Sequence, residues 1–292
     1  MKLHEPVMVT EVINNLLVDK SGKYADCTFG LGGHSKEILN NLSSKARLYA
    51  MDRDPYSASL ASKIAISDSR VVVINDTFSK ITSHIKPCRL NGVLLDLGIS
   101  SFQLNTPERG FSFQEDGPLD MRMNPSEGIP ASQWLNIASQ KEIEEVLWML
   151  GEERASRKIA KAICKERGRN SFKNTKDLAD LISSIIPRTS KRHPATNSFR
   201  AIRMFINKEI EELRMVLEAI AELLLPGGRF AIISFHSMED RIAKRFIQGK
   251  DREGSSFKFK LVGGKPFKPE RSEVRNNPRA RSAILRIGER LA

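Results

Sequence analysis

Short apolar runs alternate with longer amphipathic stretches through the first hundred residues, and that alternation leaves few folds open. It is the pattern of parallel strands linked by helices. Strands are expected at Tyr24 to Thr28, Arg47 to Met51, Val71 to Asn75 and Gly92 to Leu97, with helices over Ser35 to Leu42 and Asp54 to Ile66. Asp54-Pro55 reads as a helix start, because proline lacks the N–H that a first helical residue would leave unpaired. From about Asn105 to Ile202 no convincing strand occurs, only Pro- and Gly-bearing loops and helical segments at Gln140 to Lys165, Thr175 to Ile186 and from Ala195 onward. The α/β pattern then resumes. Asn207 to Leu225 reads as an amphipathic helix stopped by Pro226-Gly227-Gly228, and Arg229 to Phe235 as a buried fifth strand. Phe257 to Val262 and Ala283 to Ile287 suit a closing antiparallel pair. The expected architecture is an α/β sheet domain formed by 1–104 and 203–292, interrupted by an inserted helical domain at 105–202.

The net charge of +12 is unevenly spread: residues 151–214 carry +8, residues 241–292 carry +10, and the remainder is acidic by 6. Two basic blocks beside an acidic-to-neutral remainder favour a polyanionic partner, although a charge run also serves as a plain solvated face. Arg154, Lys158, Lys161 and Lys165 are spaced by four, three and four, which puts them on one helical face opposite Ile159 and Ile163. Phosphate contacts there would add affinity without sequence readout. Arg188, Lys191, Arg192 and His193, and then Arg271, Arg275, Arg279 and Arg281, extend the inventory. Cys27, Cys88 and Cys164 are too dispersed for a zinc site or a disulfide framework, so no metal is expected. The N-terminus lacks a signal-peptide profile and no apolar run is long enough to span a bilayer, which points to a cytoplasmic protein without a membrane partner.

The segment from Tyr24 to Ser35 runs off a strand, through Gly30, Gly32 and Gly33, and into a helix. Glycines let a ligand approach the backbone, and the helix N-terminus offers unpaired N–H groups. A dinucleotide fingerprint would want its third glycine where Ser35 stands, which argues against NAD. Twenty residues after Gly32, Asp52 ends the second strand, where a carboxylate suits the two hydroxyls of a ribose. Asp76-Thr77-Phe78 ends the third strand, and Asp96-Leu97-Gly98-Ile99-Ser100-Ser101 ends the fourth. Polar residues thus recur at the carboxyl ends of four strands, where open α/β sheets bind ligands.

Ribose recognition without a dinucleotide fingerprint suggests S-adenosylmethionine. The chain resembles the ribosomal RNA small subunit methyltransferase H family, the MraW-type 16S rRNA cytosine-N4 methyltransferases. The resemblance rests on Asp26 to Ser35, Asp52 to Pro55, Leu94 to Gln103, Glu108 to Phe113, Asp116 to Met123, Gly151 to Arg154, His193 to Thr196, Ile233 to Arg241 and Asn277 to Ser282. It implies a class I (Rossmann-like) methyltransferase sheet with an inserted helical substrate-recognition domain. It also implies S-adenosyl-L-methionine contacts at Gly32, Gly33, His34, Asp52, Phe78, Asp96 and Gln103. The implied substrate is one cytidine in the decoding region of 16S rRNA within the small ribosomal subunit, and a homodimer is compatible with the chain.

Methyl transfer from a sulfonium needs no metal; the protein must align a nucleophile and exclude water. The cytosine amine is a weak nucleophile, because its lone pair is conjugated with the ring, so acceptors for its N–H bonds would help. Many amino-group methyltransferases carry an Asp/Asn-Pro-Pro-aromatic segment after the fourth strand, and this chain has none there. Asp96 and Ser100 are the candidates for the acceptor role; alternatively Asp96 only orients the cofactor. Phe111 and Phe113 either line a pocket for an extruded base or pack the insertion against the sheet. His236, just after the fifth strand, is a further pocket candidate or a structural histidine. Two rival readings remain: an NAD-dependent oxidoreductase, and a non-catalytic RNA-binding ribosome assembly factor on a methyltransferase fold.

Overall fold

The computed structural model describes residues 6–187, 193–250 and 257–292. Its elements run, in chain order, α1 Val9–Leu16, β1 Lys23–Asp26, α2 Gly33–Asn41, β2 Arg47–Met51, α3 Pro55–Ser67, β3 Val71–Ile74, α4 Ile81–His84 and β4 Leu90–Asp96. Next come α5 Ser101–Asn105, α6 Ala131–Ile137, α7 Gln140–Gly151, α8 Ser156–Glu166, α9 Thr175–Ile185 and α10 Thr196–Ile206. The chain closes with α11 Glu209–Leu223, β5 Leu224–Ser234, α12 Ser237–Ile247, β6 Phe259–Leu261, α13 Arg271–Asn276 and β7 Ile284–Arg290. Two compact units result, one of residues 6–98 and 210–292 and the other Ile99–Glu209.

The first unit holds a seven-stranded sheet in the order β3-β2-β1-β4-β5-β7-β6. The pairs from β3 through β5 are parallel, whereas β7 runs antiparallel to both β5 and β6. This is the Rossmann-like sheet expected of the chain. Central strands are buried on both faces: Val93 and Leu95 belong to one apolar cluster, Leu94 to the other. That two-sided burial explains why β4 is a near-continuous apolar run rather than an alternating one. Because β1 lies between β2 and β4, the chain turns one way after β1 and the other way after β3. The carboxyl ends of β1 and β4 therefore flank a topological switch point, where such sheets open a crevice for a ligand.

The helix before β5 ends sooner than the Pro226-Gly227-Gly228 stop suggests. Leu224 already pairs with Leu90, and the next matched pair is Gly92 with Arg229, so the Pro-Gly-Gly segment forms an irregularity within the strand. Gly227 takes φ +78° there, a left-handed conformation that glycine adopts without a Cβ clash. α1 and α12 have no counterpart in the sequence reading: their N-caps, Met8 and His236, make no side-chain capping bond and so leave no signature.

The second unit is helical, apart from an isolated bridge between Pro118 and Asn174, and packs around Trp134, Leu147, Ile159, Ile182 and Ile202. The helical run from Gln140 to Lys165 is two helices. Gly151 is pressed against α10, where a Cβ would lie 2.9 Å from the Asn197 carbonyl, and Glu152 reverses to φ +51°. Arg154 consequently lies in the turn before α8 and not on its helical face. Lys158, Lys161 and Lys165 remain exposed on α8, opposite the fully buried Ile159 and Ile163.

Candidate active site

At the end of β1 the chain enters a tight turn whose geometry depends on glycine. Gly32 has φ +79°, and a Cβ there would meet the Phe29 ring at 2.7 Å. The turn is held from inside by Asp26, only 1% exposed, whose Oδ2 accepts from Ser35 Oγ at 2.7 Å and whose Oδ1 accepts from Thr28 N–H at 3.2 Å. Ser35, which spoils a dinucleotide fingerprint, is thus the hydroxyl that pins the loop to the strand. Past it, the first turn of α2 presents the N–H groups of Gly33, His34 and Ser35, which have no intrahelical carbonyl to bond.

Asp52 leaves the end of β2 half-buried, with Oδ2 accepting from Gly30 N–H at 2.8 Å and Oδ1 from Asp54 N–H at 2.9 Å. Two backbone donors fix the carboxylate's direction and leave lone pairs on both oxygens. Burial pushes its pKa up to about 6. The adjacent Asp54 caps α3 by accepting from Tyr56 N–H, with Pro55 next to it, as the dipeptide predicts.

Asp96 ends β4, its N–H donating to Thr28 Oγ1 at 2.7 Å. Its Oδ2 is 3.5 Å from His34 Nδ1, while Oδ1 is buried and has no hydrogen-bond partner among the described residues. Burial raises this carboxyl to about 6; the His34 imidazole opposes the rise, and the charges of Asp26 and Glu239 add to it. Glu239, 3% exposed, accepts from Phe235 N–H and lies 2.9 Å from His236 Nε2. That histidine nitrogen is close to the carboxylate without meeting hydrogen-bond geometry. Burying several carboxylates at one sheet edge is costly unless a cation shares the space. An edge with this charge, a ribose-type acceptor and helix N–H groups is built for a ligand that is cationic in one part and hydroxylated in another.

The MraW methylase family model matches residues 1–291. The chain belongs to that family. Among curated relatives it is similar to proteins named ribosomal RNA small subunit methyltransferase H. The one from Coxiella burnetii (strain RSA 493 / Nine Mile phase I) is 43% identical over 100% of both chains. The one from Buchnera aphidicola subsp. Acyrthosiphon pisum (strain Tuc7) is 46% identical over 98% of this chain and 97% of its own. That of Xanthomonas oryzae pv. oryzae (strain PXO99A) is 45% identical over 99% and 89%. The cofactor of this methylase is S-adenosylmethionine. The residues present fit it: the unpartnered Asp96 Oδ1 and the buried acidic edge suit a ligand bearing positive charge, and Asp52 has free lone pairs for a diol.

The other expected site residues are placed as follows. Phe78 follows β3, half-buried, its ring packed on the core of the first unit, and the preceding Thr77 donates its hydroxyl to Glu212. The segment from Ile99 begins the second unit, and there Ser100 caps α5 in a capping box: Gln103 N–H donates to Ser100 Oγ, and Ser100 N–H donates to Gln103 Oε1. That reciprocal pair holds the loop leaving β4 and engages one lone pair on each oxygen. Phe111 is buried with the Arg109 guanidinium 5.9 Å from its centroid. Phe113 stacks at 4.5 Å on His193 and meets Phe199 edge-on at 4.7 Å. Arg188, Lys191 and Arg192 lie outside the described residues, whereas Arg271, Arg275, Arg279 and Arg281 are exposed. Among the described residues no group of His, Cys, Asp and Glu is arranged to hold a metal ion, and no helix is long and apolar enough to cross a membrane. Asp26 and Glu239 are site residues that sequence reasoning passed over. Asp26 sits inside a strand, and Glu239 showed itself only as the third residue after His236.

Proposed function

We propose that the chain transfers a methyl group to the N4 amino group of a cytidine in the decoding region of 16S rRNA within the small ribosomal subunit. The observation that carries this reading is the end-to-end match to proteins named for methylating small-subunit ribosomal RNA. Asp96, a partly protected carboxylate with one unpartnered oxygen at the end of β4, supports it as an acceptor for an amine.

S-adenosylmethionine, when bound, supplies a methyl already activated on a sulfonium. The amides of Gly32, Gly33 and His34 and the carboxylate of Asp52 would hold it, the latter through the ribose hydroxyls, with Phe78 beside the adenine and Gln103 completing the set. Asp96 accepts an N–H bond from the cytosine amine, which frees the lone pair on N4 to meet the methyl carbon. In the bound state the sulfonium would supply that methyl and leave as the neutral thioether. The methylated nitrogen then carries positive charge and loses its proton to Asp96 or to water; a carboxyl near 6 is suited to take and release a proton near neutrality. Ser100 Oγ keeps one lone pair after capping α5, which allows a secondary contact to the amine. The second unit and its inserted helices, residues 105–202 in the sequence reading, would recognise RNA. Arg154, Lys158, Lys161 and Lys165 contact phosphate in this reading, and Phe111, Phe113 and His236 shape the surroundings of the base.

The test is transfer of radiolabelled methyl onto small subunits lacking the modification, followed by mass-spectrometric identification of the nucleoside. N4-methylcytidine at a decoding-region position is the expected product. Any other product overturns the specificity, and bound RNA without transfer would favour a non-catalytic assembly factor.

A further inference from the structure

The residues ahead of α1 are buried although they belong to no helix or strand: Val7 is 3% and Met8 1% exposed. A buried irregular segment needs partners for its backbone polar groups. The Val7 carbonyl accepts from His34 Nε2 at 2.9 Å, and the Met8 amide donates to Glu273 Oε1, on α13, at 2.8 Å. Met8 is held at φ +54°, which a side-chain-bearing residue keeps only when its surroundings fix it. Pro6 closes on Gly33, where a Cβ would lie 2.9 Å from the proline Cγ. Pro6 to Met8 therefore form a strap seated directly on the glycine turn of the candidate site.

His34 joins this strap to Asp96. A carbonyl can only accept, so Nε2 carries a ring proton, and Nδ1 faces Asp96 Oδ2 at 3.5 Å, a contact that holds the two together through one further proton, carried by Nδ1 or by the carboxyl. Both edges of the imidazole are committed, and the ring itself is 6% exposed. Only the backbone amide of His34 is left to meet a ligand. The remaining charges acting on Asp96, from Asp26 on β1 and Glu239 on α12, are of like sign and cannot anchor its carboxylate.

We propose that His34 is a positioning residue whose ring locks the strap and the Asp96 carboxylate into one arrangement, so that the seating of the strap and the direction of the unpartnered Asp96 oxygen are set together. The link to ligand binding rests on the methyl-transfer reading; the link from strap to Asp96 does not.

Four substitutions in the full chain, singly and in two pairs, separate the parts. The amide of asparagine can take the place of Nδ1 and that of glutamine the place of Nε2, so His34→Asn keeps the Asp96 side and His34→Gln keeps the strap side. Hydrogen exchange at the Met8 amide, in the free protein, is expected to quicken at least tenfold in His34→Asn and Glu273→Ala and to stay within twofold in His34→Gln. Asp96→Asn should quicken it about threefold with His34 present and leave it unchanged in the His34→Gln background. Calorimetry with S-adenosylhomocysteine should show Glu273→Ala and His34→Gln each weakening binding about fivefold, with the double variant no weaker than His34→Gln alone. Glu273 lies at the surface end of the strap, so its variant keeps the test clear of misfolding at the glycine turn. The proposal is overturned if Asp96→Asn leaves Met8 exchange unaltered with His34 intact, or if Glu273→Ala frees the strap while affinity is unchanged. Failure of the unmodified chain to bind S-adenosylhomocysteine would instead refute the methyl-transfer reading, and the exchange data would still decide the link between strap and Asp96.

Discussion

Replacing Asp96 by asparagine should make the empty protein more stable and bind its cofactor less well, two effects of opposite sign from one buried carboxylate. Asp96 is raised from 3.8 to about 6 by burial. The sign follows from linkage: a carboxyl whose folded-state pKa lies above its unfolded value stabilises the fold at low pH, and that contribution is lost as pH rises through about 6. A shift of roughly two units corresponds to about 3 kcal/mol once both states are ionised, near pH 8, and to almost nothing at pH 3. The side chain keeps 24% exposure, and solvent screening reduces the expected gain for Asp96→Asn to about 1–2 kcal/mol at pH 8. Asp26, Asp52 and Glu239 are present in both proteins, so the difference isolates Asp96. The assay is urea unfolding of both proteins without ligand at pH 4, 6 and 8, alongside calorimetry with S-adenosylmethionine at pH 8. Losing a charge-assisted contact should cost about 1.5–3 kcal/mol of binding, a weakening on the order of 10- to 100-fold. A loss of stability at pH 8, or a gain independent of pH, would refute the assignment of a strained carboxylate; unchanged affinity would refute its role at the ligand.

Further expectations follow from the same geometry. Because Asp52 and Asp96 both lie near 6, affinity for the cationic cofactor should rise from pH 5 to pH 7 and level off above it; a flat profile by calorimetry in matched buffers would count against the acidic edge. Charge reversal at Lys158 and Lys161, both exposed on α8, should weaken RNA binding and lower the slope of log K against log salt by about 1.4 if each meets one single-strand phosphate. An unchanged slope in filter binding would remove that face from the RNA surface. Phe113→Ala should lower stability by about 3 kcal/mol through loss of its packing on Phe199 and His193, read by urea unfolding. If Phe113→Ala instead spares stability but lowers RNA affinity, Phe113 acts as a base contact rather than a packing residue.

The alternating apolar runs were sufficient for the parallel strands because β1, β2, β3 and β4 are buried on two faces and must be short and apolar to fit there. The glycine turn and Asp52 were equally legible, since a positive φ and a strand-end carboxylate each restrict the residue types allowed. Cation positions on α8 were readable only where the helix was continuous, and the reversal at Glu152 moved Arg154 off it. Neither α1 nor α12 could be read, because their starts lack side-chain caps and their stability comes from packing.

The sequence by itself determined the parallel strands, the glycine turn and the family, each from motifs whose own residues are close together in the chain. Only the tertiary structure decided what charge each site carboxylate must bear. Asp26, Asp96 and Glu239 are far apart in sequence, yet they share one edge of the first unit, where burial raises the carboxyls of Asp26 and Asp96 and the charges of Asp26 and Glu239 raise Asp96 further. Tertiary folding likewise brings Val7 and Glu273, from opposite ends of the chain, to the same turn. Local periodicity records which face a residue buries, but it holds no information about which distant charge or carbonyl will lie beside it.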